Sequence, residues 1–358
     1  MISIRAAISA VCLGVLVLSS QGAFAQQRKL TYATFYSTNE FYEISAKHFM
    51  EEITKRTNGR ITFEPYYSGT LLKPAEISQG LSRGVADVAV GVPAAFNPRE
   101  FPLSGVVLPF ITENPMAATR AFMELYGATP ALQQEFQRNN QRLLWVLASG
   151  ENSLWTNKPI RSLEDLRGAR IRSVLGVADV LRELGATPVG VPWVEALELM
   201  QRGGVEGVSA TPFNQAAVAG TLDMASYASN GGRMGVYAIV TWSMNLDTWK
   251  SLDAETQKIV SEVAAGASQY YFERYDEDVN KAVAAVRASN VKYVHLDDGE
   301  VNRWTERGRP FLHGRWVDAT RNPAIDPRRL LEDYTALVKK YEQSAPYVTG
   351  LDRLRQSP

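Results

Sequence analysis

Few residues of this chain are of types that do covalent or metal chemistry. The sequence holds three histidines and one cysteine, too few for a Cys/His zinc site or an iron–sulfur cluster. His48 reads as a surface residue, and neither His295 nor His313 is spaced to pair with a nucleophile. The adjacent carboxylates Glu51-Glu52 and Asp297-Asp298 read as solvated faces. No GxSxG, HExxH, Walker A or GxGxxG pattern occurs. An enzyme therefore has no positive support, and no cofactor or metal ligand set is read. The chain also carries three closely spaced arginines, Arg167, Arg170 and Arg172. Arginine presents a rigid fork that stays charged and grips a carboxylate through two parallel hydrogen bonds. Arg167 and Arg170 read as surface charges. Arg170 and Arg172 share one face of a strand by alternation, so spacing alone does not choose between them.

The elements that must position such a residue alternate between two periods. Lys29–Tyr36 is β-like, and Thr38-Asn39 offers a helix cap. Phe41, Ile44, Phe49 and Ile53 then recur at helical spacing up to Thr57, and Asn58-Gly59 is a stop. Ile61–Tyr66 reads as a strand, Pro74–Arg83 as a helix and Gly84–Val90 as a buried strand. The second half repeats this. Leu163–Leu166 is a helical turn, Ala169–Val174 a strand, Val177–Leu184 a helix and Thr187–Val191 a strand. Glu195–Arg202 is a helix and Val205–Ser209 a strand. Strand–helix alternation predicts α/β units with largely parallel sheets. Both halves carry a helix end, a glycine stop and a short strand bearing an acid (Gly84–Val88, Gly203–Val208), so two similar lobes are expected. Leu252–Asn290 has no proline and one glycine, Gly266. Unbroken, it makes a helix of about 58 Å at ~1.5 Å per residue, long enough to bridge both lobes. The alternative is two helices kinked near Gly266.

Lys+Arg and Asp+Glu are both 38 in 358 residues, a balance unlike that of a nucleic-acid-binding protein. The hydrophobic share of 45% and charged share of 21% are those of a globular chain. Met1–Arg5, the apolar run Ala6–Leu18 and Ala23-Phe24-Ala25 form the three regions of a secretory leader, with cleavage expected after Ala25. The apolar run is too short to span a bilayer. Cleavage removes Cys12, so the mature chain folds without disulfides. Leu351–Pro358 is expected to fray.

The segment Asn157–Arg172 (NKPIRSLEDLRGARIR) carries a resemblance. It is similar to the "N-K-P-I-x-S-x-x-D-L-x-G-x-K-I-R" pattern of DctP-type solute-binding proteins of TRAP (tripartite ATP-independent periplasmic) transporters, with Arg170 in place of Lys. Leu184–Val189 resembles "L-G-A-x-P-V", and Val191–Glu195 keeps the family's spacing into the next helix. Tyr66–Leu71 resembles "P-x-G-x-L", with Tyr67 where the family has Pro. Gly84–Asp87 resembles "G-x-x-D", and Phe101-Pro102 with Leu108–Phe110 resembles "F-P…L-P-F". The resemblance implies a two-lobed periplasmic binding protein fold with a long helix bridging both lobes. The ligand would lie between residues 26–150 plus about 236–270 (lobe I) and 151–235 plus about 271–345 (lobe II), leaving 346–358 as a tail. It implies periplasmic location and delivery to small and large permease subunits driven by an ion gradient. It also implies that Arg172 anchors a carboxylate.

Other contacts follow from the same resemblance. Trp193 falls where relatives often place an aromatic over the ligand. Asn152 stands where some relatives carry a second arginine. Phe35 and Val92 replace a polar and an acidic contact of sialic-acid-binding relatives. Thr211 and Asn214 lie near those relatives' Asn-Pro step, offset by one residue. Trp155 faces either the cleft or the core. With fewer polar contacts and one retained arginine, the expected ligand is a monocarboxylate with an apolar or aromatic body. A C4-dicarboxylate or a sugar acid is the alternative, and a periplasmic ligand sensor or an enzyme are rival readings.

Overall fold

A computed structural model describes residues 27–356 apart from residue 323, and only the backbone of Val194. The leader and its cleavage site lie outside the described residues. Strand β1 (Arg28–Ala33) buries Leu30, Tyr32 and Ala33, the residue types that fit a pleated, half-buried surface. The helix Glu43–Arg56 buries Ala46, Phe49, Met50 and Ile53, one stripe at three- and four-residue spacing. It begins later than Thr38-Asn39 suggested. Residues 37–43 instead turn twice, through Glu40 N to the Ser37 carbonyl and Glu43 N to that of Glu40. The Thr38 carbonyl receives Lys47 Nζ at 2.7 Å. The helix stops at Asn58 and Gly59, both with positive φ (51° and 77°).

The remaining strands are β2 (Ile61–Tyr66), β3 (Val88–Gly91), β4 (Gln141–Ala148), β5 (Leu154–Thr156), β6 (Arg170–Arg172), β7 (Thr187–Val189), β8 (Gly207–Val208), β9 (Tyr227–Ser229), β10 (Ile239–Asn245) and β11 (Lys292–Val294). They form two sheets, ordered β2-β1-β3-β10-β4 and β11-β9-β5-β8-β6-β7. Both are mixed, which corrects the expectation of largely parallel sheets. In the first, β10 runs antiparallel between β3 and β4. In the second, β5 runs antiparallel to β8 and β9. The cause is the connectivity. The chain leaves the first sheet at β4, enters the second at β5, and returns from β9 to β10, so β5 and β10 arrive from the other lobe. The lobe I core includes the stacked indoles Trp145 and Trp242, 5.1 Å apart, both fully buried.

The two return connections, residues 149–153 and 230–238, are bonded to each other. Ser149 N donates to the Ala238 carbonyl, Asn152 N to that of Gly235, and Tyr237 N to Ser149 Oγ at 3.1 Å. Gly235 has φ of 65°, and a Cβ there would lie 2.2 Å from the Thr112 carbonyl oxygen.

A third connection is the helix Ala254–Ala288, continuous over 35 residues and capped by Asp253. It has no kink at Gly266, because that glycine keeps helical geometry on an exposed face. Its first half packs on Glu43–Arg56 and β4, with Ser268 Oγ donating to the Val146 carbonyl at 2.9 Å. Its second half packs on the helix Phe213–Val218. The helix Asp298–Ala319 also spans both lobes. Arg303, Arg307 and Arg315 pair with Glu164, Glu183 and Asp179 of the second. Trp316 Nε1 donates to the Pro102 carbonyl on the first lobe's side at 3.2 Å.

Two C-terminal features depart from expectation. The helix Pro327–Ser344 packs Leu330, Tyr334 and Val338 into the first lobe, against Pro115–Ala128, rather than extending the second. An apolar stripe matches whichever face the chain brings it to, so its periodicity does not say which lobe. The tail does not fray within the described residues. Gly350–Arg353 is a capped helical turn, and Leu351 is 1% exposed.

Candidate functional site

Strands β6, β7 and β8 are mutually parallel, and their carboxyl ends converge. In open α/β sheets that is where ligands are held. Arg172 is the last residue of β6, locked by Ser209 N donating to its carbonyl at 2.8 Å. Val191–Trp193 follows β7, and Ser209–Thr211 follows β8. β5 runs the opposite way, so its amino end arrives at the same edge and brings Asn152 opposite Pro212. On the first lobe, Phe35 and Val92 sit just beyond the carboxyl ends of β1 and β3, which pair in parallel.

Arg172 is 7% exposed. Its Nε donates to the Val191 carbonyl at 3.0 Å and its Nη1 to the Ser209 carbonyl at 3.3 Å. These two bonds aim the guanidinium and leave Nη2 without a hydrogen-bond partner among the described residues. No carboxylate pairs with it there. Burial lowers its pKa. A desolvated cation without a counter-ion is costly, and a bound carboxylate removes that cost. Trp193 opens the helix Trp193–Gln201, with the Arg172 Cζ 5.6 Å from its ring centroid. The Trp193 indole N–H is buried and unpartnered.

Asn152 is 1% exposed, and its Oδ1 accepts from Ser209 Oγ and Ala210 N. Its Nδ2 is unpartnered. Arg172, Trp193, Asn152 and Ser209 are therefore one connected group. Thr211 borders it, and its carbonyl receives Ser153 N and Oγ. Asn214 faces elsewhere, its Nδ2 donating to Asp278 of the long helix at 2.6 Å. Phe35 packs with Tyr36 (4.4 Å) and Phe96 (6.4 Å) in the first lobe. Trp155 lies in the core, fully buried, stacked on Phe213 and donating to Ser153 Oγ.

Sequence reasoning missed three tyrosines. Burial raises the pKa of the Tyr237 hydroxyl and Arg172 opposes the rise. Burial likewise raises the Tyr36 and Tyr42 hydroxyls, so all three stay neutral. Tyr237 lies in the 230–238 connection, which carries no periodic signal. Its proximity to Arg172 is a product of the crossover.

The second of the two mixed α/β lobes thus holds a buried cation at the carboxyl ends of its parallel strands. Residues 32–316 match the DctP family, described as bacterial extracellular solute-binding protein, family 7, and the chain belongs to it. A solute-binding protein of Roseobacter denitrificans is 25% identical over 278 residues, covering 72% of this chain and 78% of that protein. A TRAP periplasmic solute-binding protein of Desulfovibrio salexigens has a similar structure (TM-score 0.79, 26% identity, 90% of this chain and 99% of that chain). So does a TRAP solute-binding protein of Rhodoferax ferrireducens in complex with copurified benzoate (TM-score 0.76, 22% identity, 88% and 99%). Among the described residues no helix is long and apolar enough to cross a membrane.

Proposed function

We propose that this chain is the periplasmic receptor of a TRAP transporter for a monocarboxylate with an apolar or aromatic body. The observation that carries the reading is the buried, unpaired Arg172 beneath Trp193. Arg172 binds the carboxylate through its free edge, and Trp193 covers the body. Asn152 offers its unpartnered amide, and Phe35 and Thr211 complete the walls. Asn214 joins them only if ligand draws it from Asp278. The single cation and the aromatic surroundings favour a monoacid over a C4-dicarboxylate or a sugar acid. The ligand closes the lobes, divided near residues 150 and 236, because contacts from both favour the closed state. The closed form then docks on the small and large membrane subunits. The leader is removed after Ala25. The benzoate in the Rhodoferax relative fits this ligand class.

The test is a thermal-shift panel on ligand-stripped protein with benzoate, mandelate, 2-oxo acids, aliphatic monoacids, C4-dicarboxylates and sugar acids. A ligand at about 1,000 times its Kd stabilises by about 4 kcal/mol, a shift of several degrees. The expected result is a shift with a monoacid. A shift confined to dicarboxylates or sugar acids keeps the receptor and rejects the ligand class. A ligand consumed rather than recovered intact rejects the receptor.

A further inference from the structure

The segment Pro346–Gln356 touches both return connections and the long helix. Glu151, buried in the 149–153 connection, accepts Tyr347 O–H at 2.8 Å on one oxygen and Gly350 N at 2.7 Å on the other. Arg233, in the 230–238 connection, holds both oxygens of Asp352 at 2.9 and 3.0 Å and also pairs with Glu113. On the long helix, Arg353 bonds Asp276 (2.5 Å) and Asn280 (2.7 Å). Arg287 donates to the Arg353 and Gln356 carbonyls. Asn114, on the first lobe, donates to the Ala345 carbonyl at 2.7 Å. Gly350 is pressed against Phe213 of the second, where a Cβ would lie 2.3 Å from the ring.

The hold combines these polar bonds with packing, Leu351 lying in the core with Phe213 and Val279. An open pocket of about 380 Å³ lies between the segment, Met116 and the long helix, lined by Phe272, Tyr275 and Tyr347 among others. The segment is also joined to the first lobe's side of the candidate site. An unbroken file of rings runs Phe35–Tyr36–Tyr42–Tyr271–Tyr275–Tyr347, with successive centroids 4.4, 5.2, 5.7, 5.6 and 6.3 Å apart. One end lies at the edge of the cleft and the other on the segment.

We propose that Pro346–Gln356 is a strap that sets the balance between lobe arrangements. Its bonds to Glu151, Arg233, Asp276 and Asn280 require both connections and the long helix to hold one mutual geometry. A swing of the lobes changes that geometry and strains or breaks the bonds. The strap therefore favours the arrangement described here over others, and the ring file transmits its position to Phe35. This rests on the receptor reading only in taking the lobes to move, and its test needs no ligand.

Spin labels are placed at Glu51→Cys and Arg202→Cys, exposed positions on the two lobes, in protein lacking the leader. Label–label distances are measured by pulsed electron resonance without ligand. In the variant Tyr347→Phe with Asp352→Asn, about a tenfold change in the ratio of distance populations is expected, away from the arrangement described. That is the scale of losing one charge-assisted hydrogen bond present in a single state. Tyr347→Phe alone changes the ratio less, in the same direction, and serves if the double variant does not fold. A folded variant with the wild-type distance distribution overturns the proposal. So does one with a lowered melting temperature but unchanged distances, since the strap would then stabilise both arrangements equally.

Discussion

Arg172 owes its character to what surrounds it rather than to its own chemistry. Two backbone carbonyls fix the fork, and no acid among the described residues neutralises it. Arg172→Ala is expected to weaken binding of the acid found in the panel at least about tenfold, by calorimetry, with the fold intact. Arg172→Lys should also weaken it, because a point charge does not reproduce the fork. Unchanged affinity in both would remove Arg172 from the site. Three buried carboxyls make a separate prediction. Burial pushes Glu43, Glu135 and Glu151 up to about 7, each partly offset by hydrogen bonds that it accepts. The native state then holds protons that the unfolded state has released. Their contribution is fully present below the ordinary carboxylate range and is lost as pH rises through about 7, by up to about 1.4 kcal/mol per pH unit for each proton. The melting temperature should fall between pH 5 and pH 8. Glu151→Gln should flatten that slope, and an equal slope in the variant would exclude Glu151 as a contributor. At this scale the sequence was informative about which arginine to examine, through the motif ending in Arg172. It was silent about Trp155, because a strand buried on both faces shows no alternation to orient it.

Among the elements, boundaries were legible where an apolar period met a glycine stop. Ile61–Tyr66 and Leu163–Leu166 were read to the residue. β10 was not read, although it is central to the first sheet. Ile239–Asn245 is buried throughout, so it lacks period-two alternation, and its partners β3 and β4 lie far away in sequence. The start of the first helix was misread because Thr38-Asn39 satisfies the composition of a cap while local turns hold the backbone elsewhere. Two glycines with opposite roles make a paired test. Gly266 is exposed mid-helix with open space at its Cβ position, so Gly266→Ala should stabilise by about 0.5–1 kcal/mol. Gly235→Ala should sharply lower the melting temperature, because both its φ and the Thr112 carbonyl exclude a side chain. A mild effect at Gly235 would mean that the 230–238 connection is free to shift.

Over the whole molecule, the two-lobed architecture was foreseeable from the repeated helix–glycine–strand unit and the family resemblance. The way the lobes are tied was not. That depends on Asp298–Ala319, Pro327–Ser344 and the strap, whose destinations are set by contacts remote in sequence. The threading of the first lobe has a consequence for synthesis. β3 and β4 are not neighbours until β10 lies between them, and β10 follows β4 only after the chain has laid out β5 to β9 of the other lobe. The helix that completes the first lobe's outer core, Pro327–Ser344, comes later still. A nascent chain ending before β10 thus has no finished first sheet, only the three strands β2-β1-β3 and a gap before β4. Pairings so distant in sequence close slowly. The lobe whose chain emerges first is thus completed only when Pro327–Ser344, near the carboxyl end, has been made.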